Sequence, residues 1–275
     1  MEHSGELIQK LEATARALRR NVIHSIGIGT AGHVGGSFSA ADIVAALYFH
    51  KMKHDPGQPK MPNRDRFLLS KGHAAVLQYA ALAEAGYFPL ADLKHTKDLG
   101  FHLQGHPDVT KTLGIEAGTG SLGQGLSIGL GMALGLRLSA IGSKVYVLLG
   151  DGELNEGQVW EAAMAACVHK ADNLVAIVDQ NRLQAMGTVA ERFNTNPLPE
   201  KWAAFGWNVL EIDGHDMEQI LSALNEADKA ALKPTVIIAK TTKGKGLSFA
   251  ENVVSYHNAV LTEEIYKMAL NELAD

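Results

Sequence analysis

The chain has 275 residues, 46% of them hydrophobic, which is enough to bury a full core as one large domain spanning 1–275. A formal charge of −5 and a pI near 6.2, with basic residues only in ones and twos such as Arg19 and Arg20, argue against nucleic acid or anionic membrane surfaces as partners. The lone Cys167 excludes an internal disulfide framework, and neither a signal core nor a run of membrane-spanning length is found, so a cytoplasmic protein is expected.

Leu7, Leu11, Ala15, Leu18 and Val22 share one helical face, which predicts an opening helix from about 5 to 22. VIHSI at 22–26 resembles a short strand leading into GIGTAG at 27–32, a match to G-x-G-x-x-G. A dinucleotide fingerprint also needs a helix on its third glycine and an acid about twenty positions later. HVGGSFS is irregular and His50 and Lys51 stand where the acid belongs, so nicotinamide binding is set aside. ADIVAALYFHK (41–51) reads as helix, HDPGQPKMPNRD as a proline-rich surface loop, RFLLS (66–70) as strand, and AAVLQYAALAEAG (74–86) as a helix stopped by Gly86. His102 and His106 have the spacing of two ligands on one helical face, but Gly105 and Pro107 favour a loop and no further zinc ligand stands at recognisable spacing. LGQGLSIGLGMALGLRLSAIG (122–142), apolar on nearly all sides, is expected to be a central helix whose glycines permit close packing.

VYVLL (145–149) is a strand-type run bounded by Gly150, which places Asp151 at its carboxyl end. Trp160, Ala163, Met164, Cys167 and Val168 then recur at three and four, predicting a helix with that face buried and Cys167 as an inert thiol. LVAIV (174–178) is a second strand, followed by Asn181 and Leu183. Strand, crossover helix and strand bring Asp151 and Asn181 to one sheet edge. A carboxylate, an amide oxygen and a loop carbonyl are hard oxygen ligands suited to Mg²⁺ or Ca²⁺ carrying phosphate, with Gly150 and Gly152 admitting the phosphates close to the backbone. An ordinary Asp-Gly turn with an unrelated surface asparagine fits the same spacing. Strands are expected at NVLEI (208–212) and TVIIA (235–239), separated by a helix around 216–231. KGKG (243–246) reads as a mobile basic loop, and TEEIYKMALNELA as a closing helix with a Thr-x-x-Glu-like start. Repeated strand and helix units imply an α/β, doubly wound, mostly parallel sheet flanked by helices.

Of the twelve histidines, His33 (AGHVGG), His73 (SKGHA), His106 (QGHPD) and His257 (SYHN) sit in glycine-rich or turn-like surroundings, where a loop can bring imidazole to a ligand. SKGHA, GHPD, GIEAGTGSLGQG (114–125) and the GDG…N pattern together resemble transketolase, in family order and over nearly the whole chain. The resemblance implies a thiamine diphosphate-binding fold. It also implies Asp151, Asn181 and the Leu183 carbonyl as metal ligands, and Gly150 and Gly152 beside the diphosphate. His73 would hold the cofactor, and Gly120 and Leu122 would lie near its aminopyrimidine. His33, His106 and His257 would face the sugar, His257 also touching diphosphate, and Glu156 would belong to the carboxylate network at the subunit interface. Where many members have His-Pro-Gly, this chain has His33-Val34-Gly35, so a differently shaped loop is expected. The family's pyrimidine-binding domain, with its activating glutamate and phosphate-gripping residues, is not in the 275 residues. The resemblance therefore implies the amino-terminal subunit of a split transketolase, paired in an α2β2 assembly with a carboxyl-terminal subunit, its substrates being sugar phosphates. The alternatives are a subunit resembling 1-deoxyxylulose-5-phosphate synthase or the α subunit of a 2-oxo acid dehydrogenase, and a non-catalytic cofactor-binding regulatory protein.

Overall fold

The computed structural model describes residues 3–274. The chain opens with α1 (Gly5–Ile26), capped by the Ser4 hydroxyl, which accepts from Leu7 N. This helix absorbs VIHSI and runs four residues beyond the expected stop, because Val22, Ile23 and Ile26 continue its buried face. Burial along that stripe outweighs the β-branched preference for strand. GIGTAG is thus a helix-to-loop exit and not a strand-to-helix turn. It leads to the short β1 (Ala31–Gly32), then α2 (Val34–Ser39), α3 (Ala41–Ala46) and a π turn over Leu47–Lys51.

After the proline-rich loop come β2 (Arg66–Leu69), α4 (Ala75–Glu84), α5 (Gln124–Leu138), β3 (Val145–Gly150), α6 (Gly157–Val168) and β4 (Leu174–Gln180). A small hairpin, β5 (Leu183–Gln184) with β6 (Gly187–Thr188), precedes α7 (Val189–Phe193), α8 (Leu198–Ala204), β7 (Asn208–Asp213), α9 (Met217–Lys229) and β8 (Thr235–Lys240). The chain closes with β9 (Ala259–Val260) and α10 (Glu263–Glu272). Thr262 caps α10 through Ile265 N without a reciprocal glutamate; the full capping box is at Thr188 and Glu191.

Five strands pair in the order β2-β3-β4-β8-β7, every pair parallel. Alternation along the strands divides the core. Tyr146, Leu148, Val175, Ile177 and Ile237 join α1, α3, α4 and α9 on one side, while Val145, Val147, Leu149, Ala176 and Ile238 join α5, α6 and α8 on the other. The short α2 and α3 are buried throughout, and α4 is buried from Ala75 to Ala83. The glycine-rich α5 packs through one side only: a Cβ on Gly129 would lie 2.5 Å from Val147 Cγ2, whereas Leu138 is exposed. The face of α6 also differs from expectation. Val159, Ala162, Ala163 and Ala166 are buried in the second part of the core, while Met164 and Val168 are exposed and Cys167 is half-buried with its thiol pushed up by burial. Small residues suit that face because α6 packs closely against α5; Trp160 instead packs beside Trp202 and Phe205. Among the described residues, no helix is long and apolar enough to cross a membrane.

Candidate active site at the carboxyl edge of the sheet

The site is built where β3 and β4 end side by side, Gly150 opposite Asp179. Asp151 begins the next turn, 3% exposed, accepting Gly152 N at 2.8 Å on Oδ1 and Arg182 N on Oδ2. Asn181 accepts Leu183 N at 3.1 Å and donates to Asp179 at 3.0 Å. Arg182, at φ +66°, takes the left-handed conformation that turns the chain back, so Leu183 re-enters the site. Asp151, Asn181 and Leu183 thus line one cavity of about 300 Å³ together with Gly152, His73 and Lys243. Burial first, then the Asp179 carboxylate, pushes Asp151 up to about 7. A divalent cation is the natural partner for so poorly solvated a carboxylate.

Three imidazoles cluster here: His73 and His257 line the cavity, and His33 packs against both. His33 and His73 have ring centroids 5.1 Å apart, His73 and His257 5.1 Å, and His33 and His257 5.5 Å. They come from the start of α2, the loop after β2 and the turn before β9; the antiparallel pair Ala31 to Val260 ties the first of these to the last. Burial is the largest cause that lowers all three, His33 and His257 to about 4 and His73 to about 2, with neighbouring lysines and histidines adding to it. Each ring is neutral at pH 7, carrying one donor and one acceptor. Val34 is fully buried at the first helical position of α2, a place that proline also suits, so the departure from His-Pro-Gly preserves a helix start. His106 is exposed and lies against Gly120, where an added Cβ would come 2.7 Å from its Cδ2; Gly120 is at φ +135°. Leu122 and Glu156 line the cavity, Glu156 from an exposed position at its rim. His102 turns away to Asp92, 3.1 Å, and does not join His106.

The mobile-loop reading of KGKG is overturned. Lys243 is 1% exposed and donates to the Leu183 carbonyl at 2.8 Å, with His257 Nδ1 also at 2.8 Å. Burial lowers it to about 8. No local pattern announces this, because its partners lie on the β5 hairpin and before β9. Lys71 of SKGHA is equally hidden, paired with the fully buried Asp179, which also accepts from Ser39, Thr241 and Asn181. That set of donors holds Asp179 below the usual carboxylate range against its burial. Glu153 accepts Ser70 Oγ, Gly123 N and Gly150 N, locking the start of α5 to the end of β3; its burial nonetheless raises it.

The residues fit an anionic, metal-bound ligand. Asn155 Oδ1 and Gln184 Nε2, both from cavity-lining residues, are buried and partnerless among the described residues, as is the nearby Thr119 Oγ1. Such groups in a folded protein mark places where ligand or solvent belongs. Cations face the carboxylates across the cavity, and the proposed metal ligands are all oxygen. A larger, open groove of about 650 Å³ adjoins the site on the β7 and β8 side, lined by His215, Lys240 and Lys245 among others. It lacks the imidazole cluster and is the wetter of the two.

A family model described as "Transketolase, thiamine diphosphate binding domain" matches residues 9–273. The chain is 46% identical to the 6-deoxy-6-sulfo-D-fructose transketolase subunit SqwG of Clostridium sp. (strain MSTE9), with 96% of each covered. It is 40% identical to an apulose-4-phosphate transketolase subunit of Phocaeicola vulgatus, over 98% of this chain and 95% of that one. Human transketolase is also 40% identical, over 97% of this chain but 42% of its own length. The crystal structure of transketolase from Campylobacter jejuni superposes with a TM-score of 0.88 at 37% identity, covering 98% of this chain and 43% of that one.

Proposed function

Because the chain belongs to the transketolase family, we propose that it is the amino-terminal subunit of a split transketolase, transferring a two-carbon ketol unit from a ketose phosphate to an aldose. The convergence of Asp151, Asn181 and Leu183 on the cavity that also holds His73, His257 and Lys243 carries the reading. Relatives of the chain's own length are named as subunits, while human transketolase is matched over 42% of its length, which supports a separate carboxyl-terminal partner. We assign the chain to one domain, and the assembly to two copies of each subunit in the cytoplasm.

Thiamine diphosphate, when bound, supplies a carbon nucleophile and an electron sink for the ketol unit. Asp151, Asn181 and the Leu183 carbonyl hold Mg²⁺ or Ca²⁺. Gly150 and Gly152 admit the diphosphate, and Lys243 and His73 neutralise or donate to it. Gly120 and Leu122 flank the aminopyrimidine. His33, His106 and His257 bind sugar hydroxyls and relay protons; His257 also reaches the diphosphate. Neutral rings suit that work, since each can donate to one oxygen and accept from another. Glu156, at the rim, faces the neighbouring subunit.

The test is to assay ketol transfer with thiamine diphosphate and Mg²⁺, using the full chain alone and together with the product of a neighbouring gene. Phosphorylated and sulfonated ketoses are offered as donors. Transfer only by the pair is expected, and full activity of the chain alone would sink the split reading. Asp151→Ala should abolish metal-dependent cofactor binding; retained binding would remove Asp151 from the metal site.

A further inference from the structure

Lys243 meets the cavity from the loop after β8, whose backbone is held by Thr241 N on the Gln180 carbonyl at 3.2 Å and by Asn252 N on the Lys243 carbonyl at 2.8 Å, and which three further bonds tie to β4, α2 and the turn after β7. The Thr241 hydroxyl donates to Asp179, Gly244 N donates to the Gly35 carbonyl at 3.1 Å, and Thr242 N donates to His215 Nε2 at 2.8 Å. The third leads away from the cavity. His215 follows β7, and its Nδ1 lies 2.7 Å from Asp42 Oδ2 in α3. Asp42 is 7% exposed and takes two bonds from Arg19, whose Nε and Nη2 also donate to the Phe38 carbonyl in α2.

A backbone N–H can only donate, so Nε2 is the acceptor and the ring proton sits on Nδ1, aimed at Asp42. The carboxylate therefore sets both the tautomer and the tilt of the ring, as carboxylates do behind ligand-binding histidines. Arg19 already neutralises Asp42 with two bonds, so the buried charge does not require a histidine. His215's other nitrogen goes to the residue adjoining Lys243.

We propose that Asp42 and His215 are positioning residues for the cofactor's diphosphate: they fix the Thr242 peptide, and through it the placement of the Lys243 ammonium. This rests on the cofactor reading of the cavity. The pair links α1, α2 and α3, of which α2 lines the cavity through Gly36, to the loop after β8 that carries Lys243.

Two measurements on the full chain separate this from a merely structural role. Isothermal titration with thiamine diphosphate and Mg²⁺ should show His215→Leu binding at least about tenfold more weakly, with His215→Gln, which keeps an acceptor for Thr242 N, recovering most of the loss. In a Lys243→Met background, His215→Leu should cost little further affinity. An undiminished penalty there, or unaltered affinity in the folded fraction of His215→Leu, overturns the proposal. Amide exchange across 241–246 on the chain without ligand should quicken in His215→Leu while the strands stay protected. Unchanged exchange overturns it as well, even if the wild-type chain fails to bind thiamine diphosphate, a result that would instead refute the cofactor reading.

Discussion

The middle of the sheet and its carboxyl edge are built from opposite materials. Between β3 and β8 the strands are apolar on both faces, and each residue needs only to be the right size. At the carboxyl ends of these strands and of β2 lie Lys71, Asp151, Glu153, Asp179 and Lys243, all charged residues and all buried, each dependent on named partners. The contrast teaches that the site is held by mutual satisfaction of polar groups, on a platform that would fold without them.

Lys71→Met is the sharpest way to break the contrast. It leaves Asp179 buried with three neutral donors, and should cost about 3 kcal/mol of stability along with most cofactor binding, read by chemical denaturation and titration calorimetry. A stable variant with intact binding would show that the edge is as tolerant as the interior. Leu148→Ala, in the sheet's middle, should cost about 2–5 kcal/mol while cofactor affinity of the folded molecules stays within twofold or so. A selective loss of binding there would erase the distinction.

Acid should act on the edge through its imidazoles. His33 and His257 at about 4 and His73 at about 2 lie below the ordinary histidine value of 6.5, so the neutral rings contribute stability that is fully present above 6.5 and is lost as pH falls towards 4. Melting temperature should drop over that interval, and less so in a His33→Asn, His257→Asn double variant. An equal drop in both proteins would detach the effect from the cluster. The smallest effect concerns the metal: with Asp151 near 7 in the absence of a cation, protons compete with Mg²⁺, so cofactor affinity should weaken roughly tenfold per pH unit below that value. Calorimetry at pH 6 and 8 checks it, and a flat profile would contradict a buried, proton-accepting ligand.

The same contrast governs what could be read in advance. VYVLL, LVAIV and TVIIA announce their strands because each is a local apolar run, and the strand ends place Asp151 and Asn181 on one edge, although an ordinary Asp-Gly turn fits the same spacing until the surrounding motifs are added. VIHSI misleads because its helix is decided by packing beneath residues far along the chain. On α6 the large side chains read as the buried face, yet close packing against α5 selects the alanines. Lys243 was hidden for a different reason: a lysine beside glycines is surface chemistry until the Leu183 carbonyl and His257 arrive from elsewhere. The four singled-out histidines were legible as a set, and three of them do meet; His106 stays at the rim beside Gly120.

The two-residue pairing of β1 with β9 carries a consequence for biosynthesis. It joins the loop before α2 to residues 259 and 260, so a nascent chain exposed only as far as residue 250 possesses every strand of the main sheet but lacks His257 and the pairing that draws it to His33. Folding during translation would then proceed in two acts, platform first and imidazoles last. Ligand binding should accordingly switch on only when the final stretch has left the ribosome.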